Sequence, residues 1–249
     1  MRERGLEPDF SMAVQREADA ITGAARETDS SIRDLRDLAW ASIDNDDSRD
    51  LDQLSVALPQ SNGAVKVLVA IADVDALIRR GTAIDEHART NTTSVYTAAE
   101  IFPMLPEKFS TDLTSLNEGV DRLAIVIDFV VDATGRVTQS ALYRGLVHNQ
   151  TKLAYNSVAA WLDGQGPAPA RVAAVKGMDE QLRLQDRVAQ QLKALRHQHG
   201  ALELETLQSH AVYDDGQLTD LRPDTKNRAR ELIEDFMIAA NTATARFLE

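Results

Sequence analysis

Five carboxylates fall within nine residues of this chain: Asp44, Asp46, Asp47, Asp50 and Asp52. Two unit charges ~4 Å apart repel by about 4 kcal/mol at an effective dielectric near 20, so converging acids need a neutralising partner. Hard oxygen ligands with no His or Cys beside them select Mg2+, Mn2+ or Ca2+ over zinc or copper. An EF-hand loop starting at Asp44 would need glycine at 49 and glutamate at 55, where the chain has Arg49 and Ser55, so that calcium motif is excluded. The plain alternative is a solvated acidic turn. In an extended segment Asp50 and Asp52 share a face with Leu54, Val56 and Leu58. Asp44 can rejoin them only if Asn45 to Arg49 forms a loop, which predicts a pocket between a loop and a strand entrance.

The elements that must hold this pocket are read from periodicity. Helix-like spacing covers Met12 to Ala25 and Ile32 to Trp40, predicting two short surface helices. Leu54 to Leu58 alternates, Ser61-Asn62-Gly63 is a turn signal, and Ala64 to Ala72 reads as a buried strand. Residues 121–131 and 136–148, joined by Asp132 to Gly135, read as a hairpin. Thr151 to Leu162 and Met178 to His197 carry helix-period apolar residues, with a Pro-containing loop from Gly164 to Pro169 between them. A second strand pair is expected around Leu202, Leu204 and Leu207, turning at Asp214, Asp215 and Gly216. A final helix follows from about Asp224, a suitable N-cap. This order predicts an α+β fold. The division expected is an N-terminal helical or linker segment, 1–40, and a main domain, 41–249.

Composition narrows the function further. The chain has 249 residues, 27 basic and 39 acidic, for a net charge of −12. That balance excludes sequence-independent nucleic-acid binding by bulk positive charge, so any nucleic acid must be held at a local site. Zero cysteines exclude a disulfide framework, a zinc ribbon, an iron–sulfur cluster and a cysteine nucleophile, and suit a reducing cytoplasm. No apolar run approaches the ~18 residues of a membrane span, and MRERGLEPDF lacks a secretory pattern, so a cytoplasmic protein without membrane contact is expected. His197, His199 and His210 lack the spacing of a zinc site. Asn91-Thr92-Thr93 matches a glycosylation pattern that has no meaning without secretion. Gly164 to Pro167 is a linker with no phosphate-loop context.

The stretch Ile43-Asp44-Asn45-Asp46-Asp47-Ser48-Arg49-Asp50-Leu51-Asp52 resembles the catalytic aspartate motif of the ribonuclease II / ribonuclease R (RNB) family of exoribonucleases. Further matches follow in the family's order: IADVDALI at 71–78, GTAIDEHARTNTTSVY at 81–96, FPMLPEKFSTDLTSLNEGVDRLA at 102–124, TKLAYNSVAAWL at 151–162 and NRARELIEDFMIAAN at 227–241. The resemblance implies an RNB-type domain that hydrolyses single-stranded RNA from the 3′ end and releases nucleoside 5′-monophosphates with Mg2+, or Mn2+ in its place. It implies metal ligation by Asp44, Asp50 and Asp52, with Asp52 the residue most critical for cleavage. It implies RNA contacts by Tyr96 and Tyr155, and by Glu234 near the terminal ribose, with Asp235 an equally reachable carboxylate. Asp73 and Asp75 are expected in a strand-end turn or cap, Pro103 and Pro106 as stiffeners of a channel wall, and Leu113 and Leu116 in packing.

The match departs from the family in two places. Gln53 stands where members commonly carry a fourth aspartate, and the family's arginine-containing segment beyond the last helix has no counterpart. The expectation is therefore a domain incomplete at its C-terminus, completed by a further portion or a partner chain; the alternative function is RNA binding by a non-catalytic or partner-dependent remnant.

Overall fold

Alternating residues of the central strands are apolar on both faces, so the sheet they form must be covered on both sides. The computed structural model describes residues 1–249 except 27–28, 98–99, 203–208, 215–216 and 224–225. Its main sheet has seven strands: β1 Arg33–Asp34, β2 Ala41–Asp44, β3 Gln53–Pro59, β4 Val65–Ala72, and three further strands described next. Two short strands, β5 Val95–Tyr96 and β6 Ile101–Phe102, pair with each other apart from it. The hairpin strands β7 Asp121–Val131 and β8 Val137–His148 are joined by the expected turn, and β9 Thr151–Ala154 closes the edge. The order is β1-β8-β7-β4-β3-β2-β9, antiparallel through the middle, with parallel pairs at both ends.

Five helices and a strand pair complete the described chain beside α1 Met12–Ala20: α2 Ala83–Asn91, α3 Tyr155–Leu162, α4 Ala170–Ala174, α5 Met178–Gln198 and α6 Arg228–Leu248. The strand pair is β10 Ser209–Asp214 with β11 Gln217–Pro223. Ile43, Val67, Val69, Ile127 and Phe129 face α3, α5 and α6, where Val158, Leu182, Leu232 and Phe236 meet them. Trp40, Leu54, Val56, Leu68, Ala70 and Val126 form a separate cluster on the opposite face. A third cluster joins α1, α2 and the π-helical turn Lys108–Leu113 through Val14, Ile84, Phe109 and Leu113. Burying a side chain of this size is worth about 1.5–3 kcal/mol, so these layers fix the sheet's position. The α+β expectation holds, and among the described residues no helix is long and apolar enough to cross a membrane.

Several sequence expectations change, and the helix expected over Met12 to Ala25 stops at Ala20. The helix expected over Ile32 to Trp40 is instead β1 and a turn: Arg33 pairs with Gly145, the Asp34 carboxylate accepts from the Arg36 backbone and guanidinium, and Trp40 Nε1 donates to the Leu35 carbonyl. Side-chain capping of the backbone by Asp34 competes with helix, and the apolar residues bury toward the sheet. The helix expected from Thr151 begins only at Tyr155, because residues 151–154 pair with β2. The last helix starts at Arg228, capped by Asn227, whose Oδ1 accepts from the Arg230 backbone N–H at 3.0 Å. Asp224 lies outside the described residues, as do Leu204, Leu207, Asp215 and Gly216 of the expected strand pair.

One helix does the work of a missing strand. Strand β2 is short and pairs with β3 only at Ala41 and Ser55, so the Ala57 N–H on that side has no strand partner. Gln181 Oε1 of α5 accepts from it at 3.2 Å, and Gln185 Oε1 accepts from Ser55 Oγ at 2.7 Å. These glutamines, four residues apart, face the sheet rather than water.

The hairpin turn is braced in the same way. Asp132 Oδ1 accepts from the Thr134 N–H, Thr134 Oγ1 and the Arg136 N–H. Gly135 takes φ +83°, and a Cβ there would sit 2.8 Å from the Gln191 carbonyl carbon of α5. Gly135→Ala is expected to destabilise the chain by about 2–4 kcal/mol, from the left-handed backbone and the collision together. A urea unfolding midpoint unchanged from wild type would show that the turn does not press on α5 in solution.

Candidate active site

The acidic loop is positioned by strand register. Parallel pairing of β2 with β9 sets Asp44 beside Ala154, and Tyr155 follows directly as the first residue of α3. The sequence thereby brings a carboxylate and an aromatic ring to the same edge of the sheet although 111 positions separate them (155 − 44).

Between Asp44 and β3 the chain makes the predicted loop. Its turn closes through Ser48 N–H to the Asn45 carbonyl at 3.2 Å. Lys152 of β9 donates to the carbonyls of Asp46 at 2.9 Å and Ser48 at 2.6 Å. Leu51 is buried; its N–H donates to Ser115 Oγ and its carbonyl accepts from the Leu116 N–H. The Asp52 carbonyl accepts from the Ala72 N–H at 2.9 Å. Strand β3 begins at Gln53, so Asp50 and Asp52 belong to the loop and not to the extended run that their parity suggested.

Asp44 and Asp52 interact electrostatically, and both are held above the usual carboxylate value. For Asp44 the main cause is burial, opposed by hydrogen bonds from the Asn45 N–H and the Ser48 hydroxyl, with Asp50 adding repulsion. For Asp52 the causes are the protein packed around it, then Asp44, opposed by a backbone N–H, then Asp50. Asp52 nevertheless keeps one side open to water. The three acids thus form one electrostatic patch. Among the described residues, no three His, Cys, Asp or Glu side chains are arranged around a common point as metal ligands.

The tyrosines border this patch. Tyr96, 64% exposed, donates its hydroxyl to Asp50 Oδ2 at 3.1 Å. Burial of the hydroxyl end and the nearby Asp50 push its acidity down. The Tyr155 hydroxyl is pushed up to about 12 by burial, then by Asp44, with Arg230 opposing and Asp52 reinforcing. A groove of about 510 Å³ runs past Asp50 and Tyr96, walled by Arg49, Pro103, Glu107 and Thr111. Pro103 therefore lies in a groove wall, as the sequence suggested. Leu113 and Leu116 are buried, and Asp73 caps a 3-10 turn by accepting from the Ala76 N–H.

Glu234 is engaged in an ion pair of its own. It lies one helical turn after Arg230 on α6, half-exposed, with its carboxylate 3.0 Å from Lys226 Nζ. Asp235 points inward, 3% exposed, and is held by Arg196 at 2.6 Å. The alternative of Asp235 as a freely reachable acid is thereby corrected: its side of α6 packs against α5.

Sequence reading missed two cations. Arg230 Nη2 donates to Asn45 Oδ1 at 2.9 Å, and its guanidinium carbon lies 5.2 Å from the Tyr155 ring centroid. Lys152 holds the loop carbonyls already described. The TKLAY motif contained Lys152, and alternation along β9 was the signal that could have marked it. Gln53, in place of a fourth acid, is buried; its Nε2 donates to the Ile43 carbonyl, and Oε1 has no hydrogen-bond partner.

A larger cavity of about 590 Å³, lined by no residue of the acidic loop, lies between α5 and the start of α6. Its charged walls are spoken for by Arg228 with Asp186 at 2.7 Å and Asp163 at 3.2 Å, and by Lys193 with Glu231 at 3.1 Å. It is a structural seam between helices.

The site is thus an acidic loop at the parallel edge of a mixed sheet, flanked by tyrosines and a groove. The family model described as RNB domain matches residues 32–249, and the chain belongs to that family. Ribonuclease R of Vibrio parahaemolyticus is 33% identical over 217 residues, covering 87% of this chain and 26% of that protein. Ribonuclease R of Thermotoga maritima is 32% identical over 244 residues, covering 97% of this chain and 34% of that protein. Mycoplasma genitalium RNase R in complex with double-stranded RNA superposes with a TM-score of 0.88 at 25% identity, covering 100% of this chain and 44% of that one. The chain thus spans about a quarter to a third of the length of these curated relatives.

The raised carboxyls carry a stability consequence. A folded-state value above the unfolded one means that stability is fullest below the ordinary carboxylate range and is lost as pH rises through the folded-state values. At pH 7 in EDTA, Asp52→Asn is therefore expected to melt above wild type by about 1–2 °C, after discounting for solvent screening. The gap should close as pH falls and the carboxyls protonate. A melting scan in which Asp52→Asn is the less stable protein at pH 7 would contradict the repulsion.

Proposed function

We propose that this chain hydrolyses single-stranded RNA from the 3′ end, releasing nucleoside 5′-monophosphates, with Mg2+ or Mn2+ held by Asp44, Asp50 and Asp52. The observation that carries the reading is the shared electrostatic patch of Asp44, Asp50 and Asp52 on one braced loop, in a chain that belongs to the RNB family. The named relatives are ribonucleases, and the RNase R structure cited above contains bound RNA.

The donor chemistry, though not gathered around one point among the described residues, suits a hard divalent cation. It offers carboxylate oxygens whose mutual repulsion a cation would relieve, and Gln53 adds a buried carbonyl oxygen with no partner. When bound, the metal supplies positive charge to the phosphoryl oxygens and the leaving 3′ oxygen and lowers the pKa of attacking water.

The chain's own side chains do the rest. Tyr155 and Tyr96 present rings for stacking, which tolerates any base because every base has a π-face, at about 1–3 kcal/mol per stack. Arg230, tied to Asn45 and set beside Tyr155, contributes local positive charge to a molecule whose overall charge repels RNA. In this reading Glu234 accepts from the terminal 2′-hydroxyl, which separates RNA from DNA, and its ion pair with Lys226 opens to free it. The absence of cysteine suits work in a reducing cytoplasm.

A second reading, RNA binding without cleavage, is favoured by Gln53, which supplies no charge where members of the family commonly carry a fourth acid. One assay separates the two. Purified chain, Mg2+ and end-labelled single-stranded RNA should yield mononucleotides, and Asp52→Asn should slow this by roughly 10²–10³-fold while circular dichroism stays unchanged. RNA retained by the wild-type chain without turnover in Mg2+ or Mn2+ would establish the second reading in place of the first.

A further inference from the structure

Tyr96 meets two different surfaces with its two ends. Its hydroxyl donates to Asp50 Oδ2 at 3.1 Å, and its ring lies open along the groove beside Pro103. The backbone is fixed on both sides: β5 pairs Tyr96 with Ile101, and Ser94 Oγ accepts from the Met104 N–H at 2.9 Å. Stacking on RNA requires only the ring, which phenylalanine would provide equally well. The hydroxyl therefore has a separate use to account for.

Asp50 needs a restraint more than its neighbours do. Asp44 closes a strand and accepts from the Asn45 N–H at 2.7 Å, and the backbone of Asp52 is tied to Ala72. Asp50 sits in the exposed part of the loop, where repulsion from Asp44 and Asp52 favours rotation of its side chain into water. One oxygen held by the phenol leaves the other free to ligate, and hydrogen bonds of this kind to ligating carboxylates set their orientation.

We infer that Tyr96 is a positioning residue: its hydroxyl orients the Asp50 carboxylate for the cation while its ring receives a base, so that RNA and metal strengthen each other's binding. The inference rests on the metal reading above. Base stacking restricts the ring, a restricted ring restricts Asp50, and the two affinities must change by the same factor in both directions.

The test uses the full chain as wild type, Tyr96→Phe, Asp50→Asn and the double variant, each checked for fold by circular dichroism. Mn2+ binding is followed by electron paramagnetic resonance of the free ion, and binding of a labelled single-stranded oligonucleotide by anisotropy in EDTA. Tyr96→Phe should weaken Mn2+ by about tenfold, a larger loss than that of RNA affinity in EDTA, since the ring is kept. In the Asp50→Asn background the same substitution should change Mn2+ affinity no further. Adding a nuclease-resistant form of the oligonucleotide should tighten Mn2+ binding in wild type and do so less in Tyr96→Phe. Wild-type Mn2+ affinity in Tyr96→Phe, or an equal loss with and without Asp50, overturns the inference. If wild type binds Mn2+ and degrades RNA, the proposed function survives that result; if wild type binds no Mn2+, both fall.

Discussion

Parallel pairing of Ala41–Asp44 with Thr151–Ala154 is the constraint on which the rest of the site depends. It places Asp44 at a strand end next to the start of α3, which delivers Tyr155 and lets Lys152 reach back to the loop carbonyls. The loop can then be tight and negatively charged because each of its ends is tied to backbone elsewhere. Without that pairing, repulsion among the aspartates would spread them into solvent, which is the ordinary fate of an acidic turn.

The sheet tolerates so short a strand as β2 because α5 repairs what is missing. Gln181 supplies to the Ala57 N–H the acceptor that a longer β2 would have supplied from its backbone, and Gln185 ties the neighbouring Ser55 hydroxyl to the helix. Buried backbone groups are costly to leave unpaired, so a helix face carrying amides at four-residue spacing solves a local problem of the sheet. The same helix carries Leu182 and Val188 into the main core, which ties the quality of that repair to the packing of the whole layer.

Much of the site was legible because its signals are local. The acids are clustered in sequence, the hairpin announces itself through alternation and a turn, and the tyrosines sit inside motif blocks shared with a family. What was not legible depends on distant partners. Arg230 lies 185 positions from Asn45, and no periodicity in either segment refers to the other. Ile32 to Trp40 has leucines three apart and reads as helix, yet an edge of β8 was waiting to pair with Arg33. Thr151 to Ala154 reads as the first turn of a helix for the same reason: its partner strand is more than a hundred residues upstream. Glu234 follows the motif but is paired with Lys226, which precedes α6 and so lies outside its helical spacing.

The long span between Asn45 and Arg230 has a bearing on biosynthesis. Loops closed over such distances form late, because chain entropy opposes them until intervening segments have collapsed. While this polypeptide is still emerging from the ribosome, its aspartates lack β9, α3 and α6, and so lack the bracing, the ring and the guanidinium that assemble around them. The order of elements along the chain thereby delays completion of the acidic pocket until translation has passed residue 230.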